Sequence, residues 1–197
     1  MIIRVAITGG IGSGKSLVSS FLEKQGYPVF SCDKIYKELL RDKNYVQQVA
    51  DLFPEAVEGD AILIPRLSHI VFNDAKKREQ LNALAHPLIM SALRDKMSEK
   101  HGLVFAEVPL LFEGEYQKEF DEIIVVLRDK SKRIAAIMQR DKVSAQTASK
   151  KIEAQFDYDN ASSLQTFTGM YVIDNNKEEE TLFIQLQKII ESLKAKL

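Results

Sequence analysis

A chain of 197 residues, 45% of them hydrophobic, suits one compact domain with a sizeable core and room for inserted subdomains. Its formal net charge of −1 argues against a protein held to nucleic acid by bulk charge. The single cysteine, Cys32, rules out an internal disulfide and fits a reducing compartment.

Ile2–Ile7 is an apolar run of strand length. A glycine-rich loop follows where a signal peptide would be cleaved, and no apolar run approaches the ~20 residues of a membrane helix. The expectation is a soluble, cytoplasmic protein without membrane or nucleic-acid partners, a monomer or a weak homo-oligomer. The loop, Gly9-Gly-Ile-Gly-Ser-Gly-Lys-Ser16, fits the phosphate-binding pattern G-x-x-x-x-G-K-[ST]. Leu17, Val18, Phe21 and Leu22 then recur with helical spacing, so strand, loop and helix stand in the order the motif needs. Its glycines let the backbone approach a ligand, and successive N–H groups converge on phosphate oxygens at the helix N-terminus. Lys15 brings positive charge to the β- and γ-phosphates, and Ser16 offers a hydroxyl to Mg²⁺. The nucleotide is expected to lie on Gly10, Ile11, Gly12, Ser13, Gly14, Lys15, Ser16 and Leu17.

The second strand is predicted at Tyr27–Ser31, and Asp33 follows its end. Asp33 is either the base that takes a proton from an attacking hydroxyl or a helix N-cap. Cys32 reads as a packed core residue. The interval 33–100 is too long for a simple crossover. It is mostly helical in pattern, with breaks at Pro54, Gly59 and Pro65 and an apolar stretch marked by Leu81, Leu84, Leu88 and Met90. It reads as a helical insertion that binds an acceptor. Within it, His86 before Pro87 either bonds a substrate phosphate or is a satisfied histidine shaping a turn. His69, His86 and His101 lack metal-ligand spacing.

Leu103–Val108 is the third strand, and Glu107 near its end is a candidate for holding a Mg²⁺-bound water, although Asp is usual there. Glu113 is a second acidic contact or an exposed side chain. After the strand Ile123–Leu127, the interval 130–167 is rich in charge and amides and reads as a helical lid. Arg133 and Arg140, seven residues apart, share a helix face. They either neutralise charge on a transferring phosphoryl group or form a solvated face. A last strand, Tyr171–Ile173, precedes Leu182, Leu186, Ile189 and Leu193, the stripe of an amphipathic helix. Alternating strands and helices predict a three-layer α/β fold with a five-stranded parallel sheet, its core formed by 1–32, 101–129 and 168–197.

Read together, these elements resemble the dephospho-coenzyme A kinase family, within the P-loop kinases similar to nucleoside-monophosphate kinases. Thr8 to Ser16 matches its opening motif, and Ser31-Cys32-Asp33 its Asp-Ala-Asp-like element. Leu81 to Ile89 carries its Leu-Asn-x-Leu-x-His-Pro-x-Ile segment, and Val108 to Glu113 its Val-Pro-Leu-Leu-Phe-Glu. Arg140-Asp141, Gln155 and Val172 to Asn175 match its lid Arg-Asp, its Gln and its Val-Ile-Asp-Asn. The resemblance implies transfer of the γ-phosphoryl group of ATP to the ribose 3′-hydroxyl of dephospho-CoA, the last step of coenzyme A synthesis, with Mg²⁺. It implies Asp33 as base, Lys15 and Arg140 on the transferring phosphate, and Asn175 near the nucleotide. It also implies Asp33, His86, Leu110 and Glu113 on the acceptor. Ser31, Leu17, Glu107 and Lys151 depart from the family pattern. Another nucleoside- or nucleotide-type kinase would share the loop, base and lid, but not the His-Pro-x-Ile insertion. A GTPase switch would need Asp-x-x-Gly and Asn-Lys-x-Asp, and neither is present; intact Lys15, Ser16, Asp33 and Arg140 speak against a degenerate nucleotide-binding module.

Overall fold

The computed structural model describes residues 1–160 and 169–197. Positions 161–167 of the expected lid, and residue 168 of the returning core, lie outside the described residues. The chain divides into two compact units, one formed by Met1–Phe30 with Met97–Leu197 and the other by Ser31–Lys96.

The larger unit is built on a five-stranded parallel sheet ordered β2-β5-β1-β6-β7. Its strands are β1 (Ile2–Thr8), β2 (Val29–Ser31), β5 (Gly102–Glu107), β6 (Glu122–Leu127) and β7 (Met170–Asp174). β1 pairs in parallel with β5 on one side and β6 on the other, with Ile7 opposite Glu107 and Ile124. Successive connections therefore leave β1 on opposite sides, which opens a crevice at its carboxyl end. Val5, Ile7, Phe105, Ile124 and Val126 are fully buried, as strands covered on both faces require. The sequence places β2 from Tyr27, but the strand begins at Val29. Pro28 has no N–H to give a ladder, and only its carbonyl is used, by Phe105 N.

Helix α1 (Lys15–Lys24) buries Val18 and Leu22 against this sheet. The terminal helix α8 (Glu179–Lys194) buries Leu182, Leu186, Ile189 and Leu193, the stripe expected from their spacing. Between β6 and β7 lie α6 (Lys130–Asp141) and α7 (Ala145–Glu153). Lys142 in the left-handed region ends α6, and the Ser144 side chain caps α7 by accepting from Thr147 N. Ile137, Ala148 and Ile152 make a small apolar core of their own between these helices.

The smaller unit holds α2 (Cys32–Leu39), α3 (Lys43–Leu52), α4 (Ile64–Asn73) and most of α5 (Ala75–Ser98). The sequence breaks have local causes. Pro54 opens a 3-10 turn, Gly59 turns a short antiparallel hairpin of β3 (Val57–Glu58) and β4 (Ala61–Ile62), and Pro65 sits in the first turn of α4. The hairpin itself has no signal in the sequence pattern, being only two residues per strand. α5 buries Leu81, Ala85, Ile89, Leu93 and Met97, a run of i, i+4 steps, while Leu88 stays on its outer face.

Candidate active site

The phosphate loop is shaped by donors that hold its carbonyls. Lys15 Nζ donates to Gly9 O at 2.8 Å and Gly10 O at 3.1 Å. Arg133 Nε takes Ile11 O at 3.2 Å, Arg128 takes Gly12 O at 3.3 Å, and Asn175 Nδ2 takes Ser13 O at 2.7 Å. Gly14 O accepts from Leu17 N and Val18 N in the first turn of α1. Every carbonyl from Gly9 to Gly14 thus has a donor, and two of the loop's N–H groups are taken as well, Ser13 N by Gly10 O and Ile11 N by Gln155. Glycine is obligatory where these donors press closest. At Gly14 (φ 103°) a methyl group would overlap Asn175 Nδ2, and at Gly12 (φ 78°) it would lie 2.9 Å from Arg133 O.

Lys15 is 8% exposed and already aimed across the loop mouth by its two carbonyls. Ser16 Oγ donates to Glu107 Oε1 at 3.1 Å, and Ser19 Oγ to Glu107 Oε2 at 3.0 Å. β5 delivers this buried carboxylate because Glu107 is its last residue, opposite Ile7 of β1. The structure therefore brings Lys15, Ser16, Glu107 and Asn175 to one loop.

Arg133 and Arg140 share a helix but not an environment. Arg133, 2% exposed, lies against the loop, with its Nη1 donating to Asp159 at 3.1 Å. Two turns on, Arg140 is 61% exposed and its guanidinium is bidentate on Asp141, at 2.7 and 3.2 Å. Lys151 Nζ, from α7, reaches the same carboxylate at 2.6 Å. These two cations hold the Asp141 carboxyl well below the usual carboxylate range, Arg140 contributing most.

The segment after α7 returns to the loop. Gln155 Oε1 accepts from Ile11 N at 2.6 Å, and Phe156 N donates to Glu113 Oε1 at 2.9 Å. The Tyr158 hydroxyl lies 2.9 Å from Thr8 Oγ1, and burial pushes its pKa up, so that it stays a neutral hydroxyl. Glu113 is exposed, and Leu110 is half-buried on the same β5–β6 connection.

In the Ser31–Lys96 unit, Asp33 is not the N-cap of α2. That position belongs to Ser31, whose side chain accepts from Lys34 N, and Asp33 is exposed in the first turn. Asp33 borders a groove of about 360 Å³ lined by Tyr36, Leu40, Ile64, Leu67, Val71 and Leu81, with Lys37 and Ser68. His86 is half-buried inside α5, and the turn expected at Pro87 is absent because the helix continues through it. Neighbouring α5 side chains bury enough apolar surface to offset the missing hydrogen bond. Arg128, Ser19, Tyr158 and Asp159 were not singled out from sequence. Arg128 had a signal, standing directly after the apolar run of β6 at the end where ligands gather.

The family model for dephospho-CoA kinase matches residues 3–180. Dephospho-CoA kinases of Fusobacterium nucleatum and Oceanobacillus iheyensis are each 32% identical, over 98% and 97% of this chain and 99% and 98% of theirs. The crystal structure of TT1252 from Thermus thermophilus superposes with a TM-score of 0.81 at 30% identity, covering 97% of both chains. Dephospho-CoA kinase from Campylobacter jejuni, at 23% identity, shares the fold with a TM-score of 0.72 over 100% of this chain and 99% of that one. With family match, relatives and fold in agreement along nearly its whole length, this chain belongs to the dephospho-CoA kinase family.

Proposed function

We propose that the chain transfers the γ-phosphoryl group of ATP to the ribose 3′-hydroxyl of dephospho-CoA, giving coenzyme A and ADP. The observation that carries the donor half is the phosphate loop, with its carbonyls held by Arg133, Arg128 and Asn175 and with Lys15 held across its mouth. Family membership carries the acceptor.

The acceptor oxygen forms a bond to the γ-phosphorus as the bond to the β–γ bridging oxygen breaks, and ADP leaves with that oxygen. The hydroxyl proton passes to the Asp33 carboxylate, a role that fits an exposed carboxylate bordering an apolar groove. Lys15 and Arg140 neutralise charge on the transferring group. His86, Leu110 and Glu113 are assigned to the acceptor, and Gly10 to Leu17 with Asn175 to ATP. Asn175 acts by holding Ser13 rather than by touching the nucleotide, since its amide is committed to that carbonyl. Ser16 and Glu107 present hard oxygen donors of the kind Mg²⁺ takes, Ser16 directly and Glu107 through a water. When bound with ATP, Mg²⁺ supplies positive charge across the β- and γ-phosphates.

The test is ADP release from Mg-ATP with dephospho-CoA, adenosine, AMP or CMP as acceptor. Release with dephospho-CoA alone, and coenzyme A as product, is expected. Release with a nucleoside or nucleotide instead would keep the kinase and discard this acceptor. Asp33→Asn should retain ATP binding and lose about 10²- to 10⁴-fold in kcat; unchanged turnover would remove Asp33 as the base.

A further inference from the structure

One residue of the phosphate loop is held in three ways by the two helices that carry Arg140 and Lys151. Ile11 O accepts from Arg133, at the start of α6. Ile11 N donates to Gln155, just past the end of α7. Its side chain packs on Ile137, Ala148 and Ile152, the apolar core between those helices. Asp159 closes the circuit by pairing with Arg133, so the entry and exit of the α6–α7 arm are also joined to each other.

We propose that Gln155 is a positioning residue for phosphoryl transfer: with Arg133 it keys both roots of the α6–α7 arm to Ile11, and so sets where Arg140 stands relative to the nucleotide's phosphates. The physical case rests on what else could do this. Arg140 is exposed, and its guanidinium is committed to Asp141, which also takes Lys151. That cluster is carried on the arm, Arg140 and Asp141 by α6 and Lys151 by α7. Its register to the phosphates is therefore inherited from the roots, and the roots meet the loop at Ile11. Arg133 fixes the loop's backbone to the entry root, which Asp129 also seats on Asn176. The Gln155 bond, on the opposite end of the same residue's backbone, fixes it to the exit root, where Phe156 and Tyr158 hold Glu113 and Thr8. Arg133 is a poor probe because it is nearly fully buried, whereas Gln155 is half-buried.

The inference rests on the role given to Arg140 above, and a double-mutant cycle separates the two. Gln155→Met keeps the side-chain length and lacks an oxygen acceptor. Its kcat with ATP and dephospho-CoA should fall about ten- to hundredfold, with ATP affinity, read by titration of a fluorescent ATP analogue, within about threefold of the parent. In an Arg140→Ala background the same change should cost less than about threefold, because there is no longer a guanidinium to place. Equal losses in both backgrounds overturn the proposal, as does an unchanged kcat in Gln155→Met beside an impaired Arg140→Ala. Lost ATP binding also overturns it, since Gln155 would then only shape the loop. Should Arg140→Ala itself keep full kcat, the role of Arg140 fails, and this inference with it. Asp159→Asn, which weakens the other root from an exposed position, should show the same dependence on Arg140 if Gln155→Met does not fold.

Discussion

The two ends of α6 use the same residue type for opposite purposes. Arg133 is buried and spends its charge on a backbone carbonyl and Asp159. Arg140 stands in solvent and shares Asp141 with Lys151. About 10 Å of helix axis separates them, at 1.5 Å per residue. The buried arginine builds a surface that has to exist before the ligand arrives. The exposed one keeps a charge that can be redirected cheaply, because ion pairs in water are worth only about 0–1 kcal/mol. Fixed donors shape the loop, and on the function proposed above the loosely held Arg140 would meet the charge that develops there.

That contrast is open to measurement. On the fixed side, Lys15→Ala removes both the charge at the loop mouth and the donor to Gly9 and Gly10. It should cost about 10²- to 10³-fold in kcat by ADP release. A loss under tenfold would mean that the exposed cations carry the transfer instead. Asn175→Ala strands the Ser13 carbonyl in a buried site. It should cost about 1–3 kcal/mol in a denaturant melt, together with weaker ATP binding; a neutral result would remove Asn175 from the loop's support. On the loose side, the smallest effect is expected from Asp141. Its carboxyl is held below its ordinary value of 3.8, so the stabilisation it gives is complete above that pH and is lost only as pH falls below it. Asp141→Asn should therefore lower the neutral and alkaline plateau of the pH–stability curve by a small, uniform amount, and the two curves should converge as pH falls below 3.8. A loss near pH 7 of more than about 1 kcal/mol would show that the cluster is not the solvated grouping described above.

What could be read from sequence follows from how local each feature is. The glycine loop, the five strands and the stripe of α8 are written in contiguous or periodic residues, and each appears within two residues of where the pattern put it. Three of the loop's carbonyl donors, Arg128, Arg133 and Asn175, come from more than a hundred positions away, and no spacing rule links them. The N-cap of α2 illustrates a finer limit. Ser31 and Asp33 both suit such a position, and only backbone geometry shows that Ser31 takes it. Ser31, which departs from the family's Asp, keeps the capping function an Asp would also serve. Lys151 likewise keeps its charge on Asp141, although the bidentate fork of an Arg is lost.

The occupied carbonyls have a consequence for the order in which ligands assemble. The oxygens that would attract a bare cation already accept from Lys15, Arg133, Arg128 and Asn175. Near the loop, Glu107 is already shared between Ser16 and Ser19, and among the described residues no three His, Cys, Asp or Glu side chains gather as a cage. On the function proposed above, a divalent ion would therefore enter as the companion of the triphosphate, and the concentration that governs loading would be that of the metal–nucleotide complex, not of free metal.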